Sequence, residues 1–152
     1  MQLRKLFKLL TSAVLLTLTT VAQENGNWRA ASKTAQSITG DIGITTEKIF
    51  INFTRFTISR IRALEPAEVA ATFDTDSSTA RTGSLYRLSI PAGQRFLNKN
   101  SLCGSEQTQW MAAYAEGRTL RVAFFSGPKP PVFTLEAISN SSDLCGTFTY
   151  VK

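Results

Sequence analysis

From Trp28 onward the chain is written in short stretches of alternating apolar and polar residues, each ended within a strand's length by Gly, Pro, Asn or Asp, with no long segment of helical period. A chain so patterned has to fold as an all-β domain. The pattern predicts a first strand over Trp28 to Thr34. Gly40 to Thr46 and Lys48 to Phe53 then form a hairpin about Thr45-Thr46-Glu47, with Ile42 and Ile44 on one face and Ile49, Ile51 and Phe53 sharing another. Phe56 to Leu64 continues extended; a regular strand would put Arg60 and Arg62 on the face of Phe56 and Ile58, so a bulge or bend is expected near Ser59. Further strands are expected over Ser84 to Ile90, Gln109 to Ala115, Thr119 to Phe125, Val132 to Ile138 and Gly146 to Val151, with Glu116-Gly117 as a tight turn. One helical turn is expected near Leu64 to Ala71, where Pro66 suits a first-turn position. Asp74 to Gly83 reads as an exposed loop and Gly127 to Pro131 as a rigid connector. Seven to nine antiparallel strands with no repeat leave two economical solutions, a closed barrel of about eight strands or a β-sandwich, and the barrel is favoured.

The first 22 residues are of another kind. Arg4, Lys5 and Lys8 precede a run of 13 uncharged residues from Leu9 to Val21, and Thr20 and Ala22 stand at the −3 and −1 places of a cleavage site. This is the pattern of a signal peptide over 1–22, with a single β domain over 23–152. The run is shorter than the roughly 20 residues a membrane-spanning helix needs, so no stable membrane anchor is expected after cleavage and the destination is periplasmic or extracellular. Three of the seventeen Lys and Arg leave with the leader while all eleven acids stay, which leaves the domain at +3. That is an ordinary solubility charge, not the dense basic face that nucleic acid requires, and no nucleic-acid partner is expected.

Two cysteines in an exported chain pair most simply with each other, so Cys103–Cys145 is expected as a disulfide. The chain has no histidine, which removes Ser-His-Asp and Cys-His nucleophile activation and every His-ligated metal site. No cofactor, metal or catalytic residue is expected. The carboxylates open to a hydrolytic role are Asp41, Asp74, Asp76 and Glu106, of which Asp41 suits a turn acceptor and Asp74 to Ser78 a solvated loop. Arg55, Arg60, Arg62 and Arg87 could gather into a small basic patch.

The aromatic residues carry the main functional expectation. A barrel of about eight strands is either filled by side chains or holds one small ligand. Ala112, Ala113, Ala115 and Ala123 on the two strongest strands would leave room for one, with Trp110, Tyr114, Phe124 and Tyr86 as candidate ligand contacts. The first reading is therefore an exported, non-enzymatic protein that binds a small apolar molecule in a barrel cavity. The second is a protein-interaction module, such as a secreted hydrolase inhibitor, presenting Asp74 to Gly83 and Pro128 to Pro131. The third is a carboxylate-dependent hydrolase.

Two resemblances bear on this. Gly26-Asn27-Trp28 resembles the G-x-W with which lipocalins open their first strand, and implies an eight-stranded barrel with Trp28 as a structural plug at the closed end. Other lipocalin signatures are absent: the T-D-Y segment has no counterpart, and the chain ends at Lys152 without the Arg expected to pack over the Trp near the last strand. Over most of the domain, Ala35 to Ile42 (AQSITGDI), Leu102-Cys103-Gly104, Ala123 to Gly127 (AFFSG) and Leu144 to Tyr150 (LCGTFTY) resemble a group of small exported bacterial proteins. That resemblance implies export and a shared environment for the two Leu-Cys-Gly motifs, and no activity.

Overall fold

The computed structural model describes residues 23–152; the expected signal peptide lies outside the described residues. In chain order the elements are β1 (Gly26–Ala30), α1 (Lys33–Ile38), β2 (Ile42–Ile44), β3 (Lys48–Ile51), β4 (Thr54–Leu64), α2 (Pro66–Phe73), β5 (Gly83–Ile90), a 3-10 turn at Leu97–Lys99, β6 (Thr108–Glu116), β7 (Thr119–Phe125), α3 (Leu135–Ser139) and β8 (Leu144–Val151). The eight strands close a barrel in which every neighbour is consecutive, all pairs are antiparallel, and β8 returns to β1. The fold is thus the all-β single barrel that the alternation predicts, closed so that no sheet edge is left over.

Inside the barrel, alternate residues from every strand meet. Trp28, Ile42, Ile44, Ile49, Ile51 and Ile58 from the first four strands pack with Tyr86, Leu88, Met111, Val122, Phe124, Phe148 and Tyr150 from the rest. A second core lies outside the barrel wall. There α2 and the connector before α3 lay Val69, Phe73 and Phe133 over Leu85, Trp110, Ala112, Tyr114, Ala123 and Phe125. Gly83 permits this close approach, because a Cβ there would stand 2.7 Å from the Ala113 carbonyl oxygen and 3.1 Å from Val69 Cγ2. β6 and β7 are consequently covered on both faces, which is why Met111 to Ala115 reads as an apolar run and not as alternation.

The expected helical turn is present as α2, with Pro66 in its first turn and the Glu68 carboxylate accepting the Glu65 N–H at 3.1 Å. Two local expectations are corrected. The predicted strand Trp28 to Thr34 breaks after Ala30, because the Ser32 hydroxyl accepts the Ala35 N–H at 3.1 Å and starts α1. Val132 to Ile138 is not extended: Thr134 caps α3 by accepting the Ala137 N–H at 3.2 Å. The bulge expected near Ser59 is present in β4, two residues further on at Ile61, for Arg60 pairs with Tyr86 and Arg62 with the adjacent Leu85. That extra residue turns Arg60 and Arg62 to opposite faces. Arg60 Nε donates to Ser84 Oγ at 3.1 Å, while Arg62 reaches over the outer core to both Glu68 carboxylate oxygens at 2.7 and 2.8 Å.

The Cys103–Cys145 disulfide is formed, with its Cα atoms 5.0 Å apart. It ties the β5–β6 connection to the beginning of β8. The opposite closure, β1 against β8, rests on two residue pairs, Arg29 with Val151 and Ala30 with Tyr150. Past these, the Thr149 carbonyl accepts the N–H groups of Ala31 and Ser32, and Ser32 Oγ accepts the Thr149 N–H at 3.1 Å. A single serine therefore caps a helix and fastens the seam.

One buried carboxylate went unnoticed in the sequence. Glu24 is 4% exposed, next to Ser84, Arg60 and Tyr86. Burial holds its carboxyl above the ordinary carboxylate range, against the lowering effect of hydrogen bonds and Arg60, and Tyr86 is pushed up to about 12 by burial and then by the Glu24 charge. The folded state thus holds the Glu24 proton more tightly than the unfolded state. Its ionisation removes stability as pH rises from the ordinary value of 4.5 through the folded pKa. Glu24→Gln is expected to raise the melting temperature at pH 7, with the gain shrinking toward pH 4; melts followed by circular dichroism at the two pH values test this.

Candidate binding groove

The four aromatic residues expected to contact a ligand do not share one site. Tyr86 and Phe124 face the barrel interior, whereas Trp110 and Tyr114 face outward into the second core. The register fixes this: Tyr86 pairs with Met111, and Trp110 pairs with the outward Arg87. The Trp110 indole N–H donates to the Gly127 carbonyl at 3.1 Å, and the Arg87 guanidinium stands 4.6 Å from its ring centroid. Tyr114 stacks on Phe73 and donates its hydroxyl to Glu116. The alanines divide in the same way, Ala113 and Ala115 inward, Ala112 and Ala123 outward. The space beside the inward pair is occupied by the protein's own side chains. Trp28, Tyr86, Phe124, Phe148 and Tyr150 are all at most 2% exposed, and the Tyr150 hydroxyl is hydrogen-bonded to Thr39 Oγ1 at 2.8 Å.

An open groove lies on the other side of the wall. A groove of about 1030 Å³ runs across the outer faces of β1, β2 and β3, from Lys152 at one end of the barrel to Phe53 and Leu97 at the other. Strand register builds it. Asn27, Gly43 and Phe50 stand side by side on three neighbouring strands, so the missing side chain at Gly43 makes a trough between an amide and an aromatic wall. A Cβ at Gly43 would lie 3.2 Å from Asn27 Oδ1 and 3.6 Å from Phe50 Cδ2. Arg55 completes the row beside Phe50.

At the far end the β3–β4 hairpin turns on two residues, Asn52 and Phe53, with φ of 45° and 66°. A turn with both central residues at positive φ favours Asn followed by Gly. Asn52 conforms; Phe53 does not. An aromatic side chain is thereby held in the left-handed region, at a cost of about 1 kcal/mol or more, and fully exposed to solvent. Alternation alone places Phe53 on the face of Ile49 and Ile51, but β3 ends at Ile51 and Phe53 stands clear at the tip. Phe53→Gly is expected to raise the melting temperature by a few degrees, since strain relief offsets the added freedom of the unfolded chain. A drop on differential scanning calorimetry would show that Phe53 is packed.

The two long margins of the groove differ in charge. Arg29 and Lys152 line it on the β1–β8 side, and the aromatics lie on the β3 side. Lys152 Nζ is 4.7 Å from the ring centroid of Trp28, whose indole N–H donates to the Glu24 carbonyl at 2.8 Å. The acid among the lining residues, Asp41, accepts the Ala30 N–H at 2.9 Å, the turn role its sequence position suggested.

The remaining expected sites stay apart. Arg55 is outward on β4, Arg60 and Arg62 are divided by the bulge, and Arg87 is spent on Trp110, so the four arginines make no common patch. Asp76 accepts the Ser78 N–H at 2.9 Å within its own loop. The connector after Pro131 is a strap over the outer core, where Phe133 packs edge-on against Phe125 with centroids 5.9 Å apart. Among the described residues no three His, Cys, Asp or Glu side chains come together as a metal site, and no helix is long and apolar enough to cross a membrane.

No protein-family model matches the chain, and neither a curated protein nor a solved structure is significantly similar to it.

Proposed function

We propose that this chain is an exported, non-enzymatic binding protein, released from its leader after Ala22, that takes its ligand on the outer face of β1–β3 and not inside the barrel. The observation that carries this reading is the pairing of an interior occupied by its own side chains with an external groove of about 1030 Å³ that is walled by Phe50 and ends at the exposed Phe53. Ligand sites are concave and mostly apolar with a few placed polar groups, which describes this groove. The disulfide and the leader pattern support an oxidising, periplasmic or extracellular destination.

Gly43 offers a clean test. Its φ lies outside the left-handed region and its missing Cβ faces the groove, so Gly43→Val fills the trough while leaving the interior untouched and suits a strand. The chain produced in an oxidising compartment is expected to carry a small molecule in native mass spectra, and the Val variant to lose it while still unfolding cooperatively, with the exposed Asn27 side chain moving aside for the added Cβ. Retention by the variant would move the site elsewhere. A second reading, a protein-interaction module, is supported by the strained and exposed Phe53; an empty groove together with a protein captured by the parent chain and lost on Phe53→Gly would favour it.

A further inference from the structure

The groove is amphipathic across its width, and that asymmetry bears on what it holds. On the β1–β8 margin stand two exposed cations, Arg29 and Lys152. Among the described residues the one ion pair is Arg62–Glu68, so neither cation is matched by an acid. Asp41, which could have balanced them, has its carboxylate turned to the Ala30 N–H. On the β3 margin are Phe50 and Phe53, both exposed. The floor between them is Gly43 backbone. From β1 to β3 is two strand spacings, about 10 Å, a distance a medium-length alkyl chain covers.

We infer that the groove binds a single-chain anionic amphiphile, with its acid group at Arg29 and Lys152 and its apolar chain laid over Gly43 against Phe50 and Phe53. This rests on the reading of the groove as the binding surface. A wholly apolar ligand would cover the two cations without giving them a partner, which costs free energy. A cationic amphiphile would meet two like charges. An anion at this margin satisfies both cations, and the exposed rings supply the apolar contact that the surrounding surface lacks.

The test uses the full chain purified from an oxidising compartment, titrated calorimetrically with decanoate, decanol and decyltrimethylammonium below their micelle concentrations. Decanoate is expected to bind about tenfold tighter than decanol, the effect of one charge-assisted hydrogen bond, and the ammonium weaker than either. Arg29→Gln with Lys152→Gln is expected to erase the preference for decanoate while leaving decanol affinity unchanged. Arg29→Gln alone, which keeps Lys152 over Trp28, should erase part of it and guards against a folding defect in the pair. Equal binding of decanoate and decanol, or a preference that survives in the double variant, overturns the charge inference while the groove reading stands. Absence of binding by all three, or binding unaltered by Gly43→Val, overturns the groove reading with it.

Discussion

Cys103→Ser combined with Cys145→Ser is expected to lower stability by about 2–4 kcal/mol and the melting temperature by on the order of 10 °C. The bridge spans a sequence separation of 42 residues and closes the end of the barrel where the β5–β6 connection meets the start of β8. Both cysteines are half-buried at the margin of the inner core, so serine fits without a cavity, and the loss is that of the cross-link. Thermal unfolding with and without a reductant measures it. The reduced parent should match the double variant; equal melting temperatures with the bridge intact and reduced would mean that barrel packing alone holds this end together.

Trp28→Ala is expected to cost more, about 3–5 kcal/mol in urea denaturation. Trp28 is 1% exposed within the inner core. Its removal would leave a cavity, an unpartnered Glu24 carbonyl and a Lys152 ammonium with no ring beneath it. Trp28→Phe keeps most of the volume and loses only the indole hydrogen bond, so a loss of about 1–2 kcal/mol is expected there. A loss below 1 kcal/mol for the alanine variant would show that Trp28 is no plug in the wall.

The barrel was legible in the sequence wherever one face of a strand is wet. Ile42 and Ile44, Ile49 and Ile51, and Phe148 and Tyr150 each flank a residue that is not buried, and each lies inside. Legibility failed where a second layer covers the wall. On β6 both Trp110, Ala112, Tyr114 and Met111, Ala113, Ala115 are apolar, so periodicity could not say which set faces in; α2, some forty residues earlier in the chain, decides it. The short helices were missed for a different reason. α1 buries Ala35 alone and α3 buries nothing fully, so neither leaves a helical stripe, only the capping residues Ser32 and Thr134. The groove left almost no signal in the sequence. Asn27, Gly43 and Phe50 become neighbours through register, and the one local hint was an Asn-Phe turn where Asn-Gly is the usual choice.

The two-pair joint between β1 and β8 also sets an order of events. The strand that completes the barrel is the first of the eight to be synthesised, and its partner the last of the eight. β2 through β8 can zip from neighbour to neighbour, each pairing local compared with the last, but Arg29 has to wait for Val151, the longest loop closure among the eight strand pairings. Until then the inner faces of β1 and β8 stay uncovered, Trp28 and Tyr150 among them. That interval is when chaperones and proteases have their opportunity.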